Sequence, residues 1–261
     1  MVKLCVPETD IFRRNKHDLL PLVSGLSFKQ PNNEEYPGKE LMLECSLNIG
    51  SPNFLSELAN LGLLEALKSN RFTSFACDIG PAWETFIENG KSPNGYPRYL
   101  PGTNPLSDEK YIEFGKDNIA FIRNNFDGLI KVENLNYFDT GAYERVCEPE
   151  FISMIINELD IELLLDIGHL IICVKNMNIP LESYLDDIPL NTISEVQISG
   201  SNIVNGVLED THEIPSETDM EILDHILSRI KPKYLTLEYY KNDQALIKGY
   251  RDLEKWLQNR E

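Results

Sequence analysis

Six residues in the second half of the chain have the types and spacing to do chemistry. They are Glu133 in GLIKVENLNYF, Asp166 and His169 in ELLLDIGHL, Asp210 and His212 in LEDTHEI, and Glu238 in YLTLEYY. Each stands at, or just beyond, the end of an apolar, strand-like run. Carboxylates and neutral imidazoles are ligands for Zn, Mn or Fe, so a cluster of these six would make a metal centre. Asp166 and His169 lie three apart across a glycine-containing turn, so both can reach one site. Asp210 and His212 can chelate one ion if the backbone is extended, because alternate residues then share a face. Glu238 sits in a run otherwise apolar and aromatic, where an unpaired carboxylate would cost on the order of several kcal/mol; a metal, an Arg or a Lys must meet it. Plainer readings stand beside these. Asp166 alone could cap the helix that follows its strand, and Glu133 could move protons instead of binding metal. His17 and His225, the other two histidines, read as surface or helix residues.

The elements that must position these residues alternate short apolar runs with longer amphipathic ones. Strands are expected at Val2–Val6, Leu41–Leu47, Phe72–Cys77, Gly128–Asn134, Glu162–Asp166, Ile193–Ile198 and Tyr234–Tyr239, with an eighth in Leu20–Phe28 despite Pro21 and Gly25. Helices are expected over 53–68, 107–125 opening at Ser107, 149–158 with Pro149 in its first turn, 216–230 opening at Ser216, and 242–259. Strands alternating with such helices imply a parallel sheet covered by helices. With seven or eight units and no glycine-rich phosphate loop, the expected fold is an α/β (β/α)8 TIM barrel, one domain over 1–261. Barrel strand ends converge on one mouth, which is how residues about 35 positions apart become neighbours. The segment 89–105, NGKSPNGYPRYLPGTNP, reads as a long irregular loop lying over that mouth and touching substrate. Trp83, Tyr96 and Tyr99 would serve there as an aromatic wall, or as packing.

Composition narrows the partners. Lys and Arg number 24 against 42 Asp and Glu, a formal net charge of −18. Such a surface repels phosphate backbones and anionic membranes, so nucleic acid and membrane are excluded as expected partners. Five cysteines, an odd number without a C-x-x-C pair, suggest neither a disulfide framework nor a zinc knuckle and fit a reducing cytoplasm. The N-terminus lacks the basic and apolar regions of a signal peptide, and the longest apolar region, Leu163–Val174, is interrupted by Asp166, Gly168 and His169.

The run Glu133-Asn134, Asp166-Ile-Gly-His169, Asn176-Met-Asn178, Tyr184-Leu-Asp-Asp-Ile-Pro189, Glu195-Val-Gln-Ile-Ser-Gly200, Asp210-Thr-His212 and Glu238 resembles the xylose-isomerase-like barrel superfamily. Within it, order and spacing most resemble the multinuclear non-haem iron-dependent oxidative enzymes, which modify peptides, often at cysteine. The resemblance implies that Glu133 and Asp166 ligate a central pair of ions, that Glu238 bridges or caps them, and that His169, Asp210 and His212 serve an adjacent metal position. Where relatives carry histidines this chain has Gln197, Glu44 and Asp78. An oxygen-rich set of this kind favours Mn or Fe(II) over Zn.

The activity so implied is metal-dependent oxidation of a peptide at cysteine during ribosomal peptide maturation. It would use two or more Fe ions, or Mn or Zn, with O2 as co-substrate. A separate recognition protein would present the peptide, since 261 residues leave no room for an appended domain. Two other readings remain open. One is a divalent-metal sugar isomerase or epimerase in which Glu133 and Glu238 move protons at adjacent carbons; the other is a degenerate, non-catalytic metal-binding barrel. Phosphodiester hydrolysis is disfavoured by the acidic balance and the absence of a basic stripe.

Overall fold

Each of the eight apolar runs contributes a barrel strand, within the residues 2–260 that this computed structural model describes. In chain order the strands are β1 (Lys3–Pro7), β2 (Gly25–Phe28), β3 (Glu40–Asn48), β4 (Ser74–Asp78), β5 (Phe86–Lys91), β6 (Pro97–Pro101), β7 (Leu129–Glu133), β8 (Glu162–Asp166), β9 (Ile193–Ile198), β10 (Gly200–Val204), β11 (Val207–Glu213) and β12 (Tyr234–Leu237). Strands β1, β2, β3, β4, β7, β8, β9 and β12 follow one another around a closed ring, every neighbouring pair parallel. This is the expected (β/α)8 barrel. The eighth run is shortened to Gly25–Phe28, because Leu20–Leu22, with Pro21 in its first turn, forms a 3-10 turn instead.

Alternation along each strand divides the interior in two. Outward residues such as Leu26, Leu43, Phe75, Val132, Leu165, Val196 and Leu235 are buried beneath the helices in one continuous apolar core. Burying each such side chain contributes roughly 1.5–3 kcal/mol. Inward residues form a smaller, more polar filling: Cys5, Met42 and Tyr234 touch one another, and Lys131 pairs with Glu195 inside the ring.

Helix starts follow the local signals. The Ser107 side chain accepts from the Lys110 amide ahead of Asp108–Arg123, Pro149 opens Pro149–Leu159, and Ser216 with Asp219 makes a reciprocal capping box ahead of Glu217–Arg229. Two expectations need correction. The helix expected over 53–68 is broken into Phe54–Asn60 and Leu63–Lys68 by Gly62, whose φ of +70° is left-handed. The segment 89–105 is no irregular loop: β5 and β6 pair antiparallel as a hairpin. Its strands pack little of either face, so no buried/exposed alternation marks them in the sequence.

At the far end of the barrel Glu40, opening β3, is met by Lys3, by Lys233 at 3.2 Å and by the Tyr234 hydroxyl. Burial alone would raise its pKa, but Lys3, Tyr234 and Lys233 outweigh burial and hold it at about 2. A carboxylate whose folded value is depressed stabilises the fold above its unfolded value, and that contribution is lost as pH falls through the folded one. Because Lys3 and Lys233 are solvent-screened, wild type is expected to lose about 1 kcal/mol between about pH 4.5 and pH 2 through this residue. Denaturant titrations at both pH values should show a smaller drop for Glu40→Gln; an equal drop would remove Glu40 as the cause.

Candidate metal site at the barrel mouth

At the C-terminal rim the inward positions carry Ser27, Glu44, Asp78, Glu133, Asp166, Gln197 and Glu238, contributed by seven different strands or the residue just past one. This is the end at which barrels of this kind build their sites. Five of the seven are carboxylates, and crowding them out of water has the expected electrostatic result. Burial, then Glu44, pushes the Asp78 carboxyl up to about 7; burial pushes Asp166 up to about 6 and Glu133 well above its ordinary range. Five carboxylates crowded on one rim favour a cation.

Glu133, Asp166 and His169 each offer one ligand atom, and these atoms lie within 4.8 Å of one another. The two oxygens of Asp166 have different surroundings. Its Oδ1 accepts from the His169 amide at 2.7 Å, capping the helix Ile167–Asn176, whereas its Oδ2 is buried without a hydrogen-bond partner. Gly168 permits that turn, since a Cβ there would come within 2.5 Å of the Ser199 hydroxyl. The His169 ring places Nδ1 at 2.8 Å from the Asn134 carbonyl, leaving Nε2 facing Asp210 at 3.8 Å. A carbonyl holding one ring nitrogen fixes the tautomer that presents the other to a metal. Burial would lower the His169 pKa, but Asp166, Asp210 and Glu133 outweigh it and raise it well above its usual value.

Asp210 and His212 reach the mouth by a different route from the one expected. They lie on β11, which pairs with β10 as a second hairpin above β9. The pairing shifts between Gly200 and Ser201, so Thr211 and His212 bulge out, and His212 takes a left-handed φ of +45°. The bulge, not extended alternation, brings His212 Nε2 to 3.0 Å from Asp210 Oδ2 and 3.2 Å from Glu238 Oε2. Burial opposes charge on this ring as well, but Asp210 and Glu238 raise it to about 9. From the other hairpin, Asn94 donates to Asp210 Oδ2 at 2.8 Å and to its carbonyl at 3.0 Å.

These groups open into a cavity of about 370 Å³ walled by Phe86, Tyr96, Tyr99, Phe138 and Tyr143. The wall includes the expected Tyr96 and Tyr99. Trp83 is not in it and instead bridges to Pro105.

A model of the family described as RiPP precursor modification enzyme MbnB/TglH/ChrH matches residues 105–256, more than half of the sequence. This chain belongs to that family. A UPF0276 protein of Acaryochloris marina is 27% identical over 132 residues, 50% of this chain and 48% of that protein, so the chain spans about half the length of that relative. A UPF0276 protein of Vibrio parahaemolyticus is 23% identical over 91% of this chain and 84% of its own length. Among solved structures, a D-tagatose 3-epimerase-like protein matches with a TM-score of 0.64 at 15% identity, covering 98% of this chain and 97% of that one. The 3-keto-D-glucoside 4-epimerase YcjR from E. coli matches at 0.57 and 16%, covering 99% and 100%. Endonuclease IV from Thermus thermophilus matches at 0.56 and 11%, covering 98% and 99%. At these identities the likeness is one of fold.

For a member of the MbnB/TglH/ChrH family, the matched span contains all six residues first singled out, and Gln197, but neither Glu44 nor Asp78. Outside it lies the residue the sequence reading missed, Lys29. Its Nζ pairs with Glu44 and lies 3.0 Å from Glu238 Oε1, so basic charge does stand at the mouth. Burial opposes its charge, but Glu238 and Glu44 raise its pKa well above the ordinary lysine value. The signal was its place directly after β2, the position class that marks Glu238 after β12. Tyr240 was missed too; its hydroxyl donates to Glu238 Oε1 at 2.7 Å.

Proposed function

We propose that this chain is a metal-dependent oxidative enzyme that modifies a peptide at cysteine, using iron and O2. The observation that carries the metal reading is Asp166 Oδ2, a fully buried oxygen without a partner, beside Glu133 and His169. Those three residues would hold the ion, with the unpartnered Oε1 of Gln197 as a further oxygen donor on the neighbouring strand. Two carboxylates and one imidazole suit Fe(II) or Mn better than Zn. Iron bound there would supply the one-electron and O2 chemistry that side chains lack. The protein's share is positioning: the Asn134 carbonyl orients His169, the helix cap fixes Asp166, and the aromatic walls exclude water from a bound side chain. A peptide as substrate rests on the family description.

Residues 2–260 act, in this reading, as one barrel domain in the cytoplasm, with peptide recognition supplied by a separate protein. Five buried free cysteines fit a reducing compartment, and among the described residues no helix is long and apolar enough to cross a membrane.

One observation favours sugar epimerisation as the second reading. Burial raises the Glu133 pKa, whereas Lys29 and His212 outweigh burial at Glu238 and hold it well below the carboxylate range. Two carboxylates pushed in opposite directions are suited to be acid and base. The two readings separate in one experiment. Protein loaded anaerobically with Fe(II) is exposed to O2 with cysteine-containing peptides and followed by O2 uptake and peptide mass. A parallel sample with Mn(II) and ketoses in D2O is followed for deuterium at carbon. An iron- and O2-dependent mass change is expected; deuterated sugar with unchanged peptide would replace the oxidative reading by the epimerase one.

A further inference from the structure

We propose that Lys29 is a built-in cation occupying one half of the barrel mouth, so that the site takes a single divalent ion, at Glu133, Asp166 and His169. This rests on the metal reading above and adds its stoichiometry. The rim divides into a satisfied half and an unsatisfied half. In the satisfied half, Glu44 Oε2 accepts from Ser27 at 2.8 Å and from Gln197 at 3.0 Å, while Oε1 pairs with Lys29. Glu238 Oε1 accepts from Tyr240 and faces Lys29 at 3.0 Å, and its Oε2 faces His212 at 3.2 Å. All four oxygens have donors, so an ion shared by Glu44 and Glu238 would have to expel the ammonium.

The other half lacks donors. Asp166 Oδ2 has no partner, and the ring nitrogen nearest Glu133 Oε1, His169 Nδ1 at 3.3 Å, lies closer to the Asn134 carbonyl at 2.8 Å. A divalent ion has the unmet Asp166 oxygen to bind there, whereas every oxygen of Glu44 and Glu238 is already met. A lysine ammonium is a compact point charge with three donors, able to bridge two carboxylates as a small cation would. Lys29 and Glu44 both precede the span that the family model matches.

The test is a metal count on the full chain, loaded anaerobically with Mn(II), desalted, and measured by elemental analysis and electron paramagnetic resonance. Wild type is expected to hold one ion per chain with an uncoupled Mn(II) spectrum. Lys29→Met, which frees Glu44 and Glu238, should rise to two ions and show exchange coupling; Lys29→Arg, which keeps the charge, should stay at one. Two or more ions in wild type would overturn the proposal, as would Lys29→Met remaining at one. No ion in wild type would overturn both this inference and the metal reading, whereas two ions would overturn this inference alone. If Lys29→Met does not fold, the wild-type count decides.

Discussion

Asp166→Asn is expected to empty the metal site while leaving the barrel intact. The substitution separates the two tasks of one side chain. Asparagine caps helices as well as aspartate does, so the bond from the His169 amide to the retained oxygen survives, as do the backbone bonds that Asn134 makes to this residue at 2.8 and 3.1 Å. The unpartnered Oδ2 becomes an amide nitrogen, which is not a metal ligand. Metal affinity should fall by more than about 100-fold, beyond what loss of a supporting contact alone produces. In metal-free protein the substitution removes a buried charge that burial opposes, with Glu238 and Asp210 adding to it and His169 offsetting it. The metal-free variant should thus melt no lower than metal-free wild type. Asp166→Ala should also lose metal but be destabilised by about 1 kcal/mol through loss of the cap. Unchanged metal content in Asp166→Asn would remove this residue from the site.

The largest effect on stability is expected below the mouth. Lys131 and Glu195 are each 1% exposed and paired across β8, with Thr236 donating to the same carboxylate at 2.8 Å. Lys131→Met leaves Glu195 charged and unpaired inside the ring, which should cost about 3–5 kcal/mol and lower the melting temperature by roughly 10 °C. Adding Glu195→Gln removes the stranded charge and keeps an acceptor for Thr236, so the double variant should recover most of the loss. Thermal melts of the two variants decide it. A double variant as unstable as the single one would mean that shape, not charge, holds the middle of the barrel.

The barrel was legible because its signal is repeated: eight apolar runs separated by amphipathic segments leave few topologies, and burial on the outer face demands Val, Leu, Ile and Phe in continuous stretches. Glu133, Asp166 and His169 were legible as polar residues at the ends of such runs, and they do converge. The two hairpins were not. In β5 every residue is exposed, so no alternation marks it, and in β11 the bulge at Thr211 and His212 breaks the pattern that would have named a strand. Lys29 was hidden for another reason. A lone lysine after a short strand looks like a solvated residue, and only closure of the ring, which sets β2 beside β3 and Glu238 above β12, supplies the carboxylates that hold it.

Asn94 hangs from the tip of a surface hairpin in the first half of the chain, yet both of its hydrogen bonds end on Asp210, 116 residues later. The turn of a hairpin outside the barrel thereby helps to set where a carboxylate at the mouth points. Hairpin tips tolerate insertion and replacement far better than barrel strands do. The geometry around His169 and His212 can accordingly be retuned by edits to a surface loop, with every strand of the barrel left as it is.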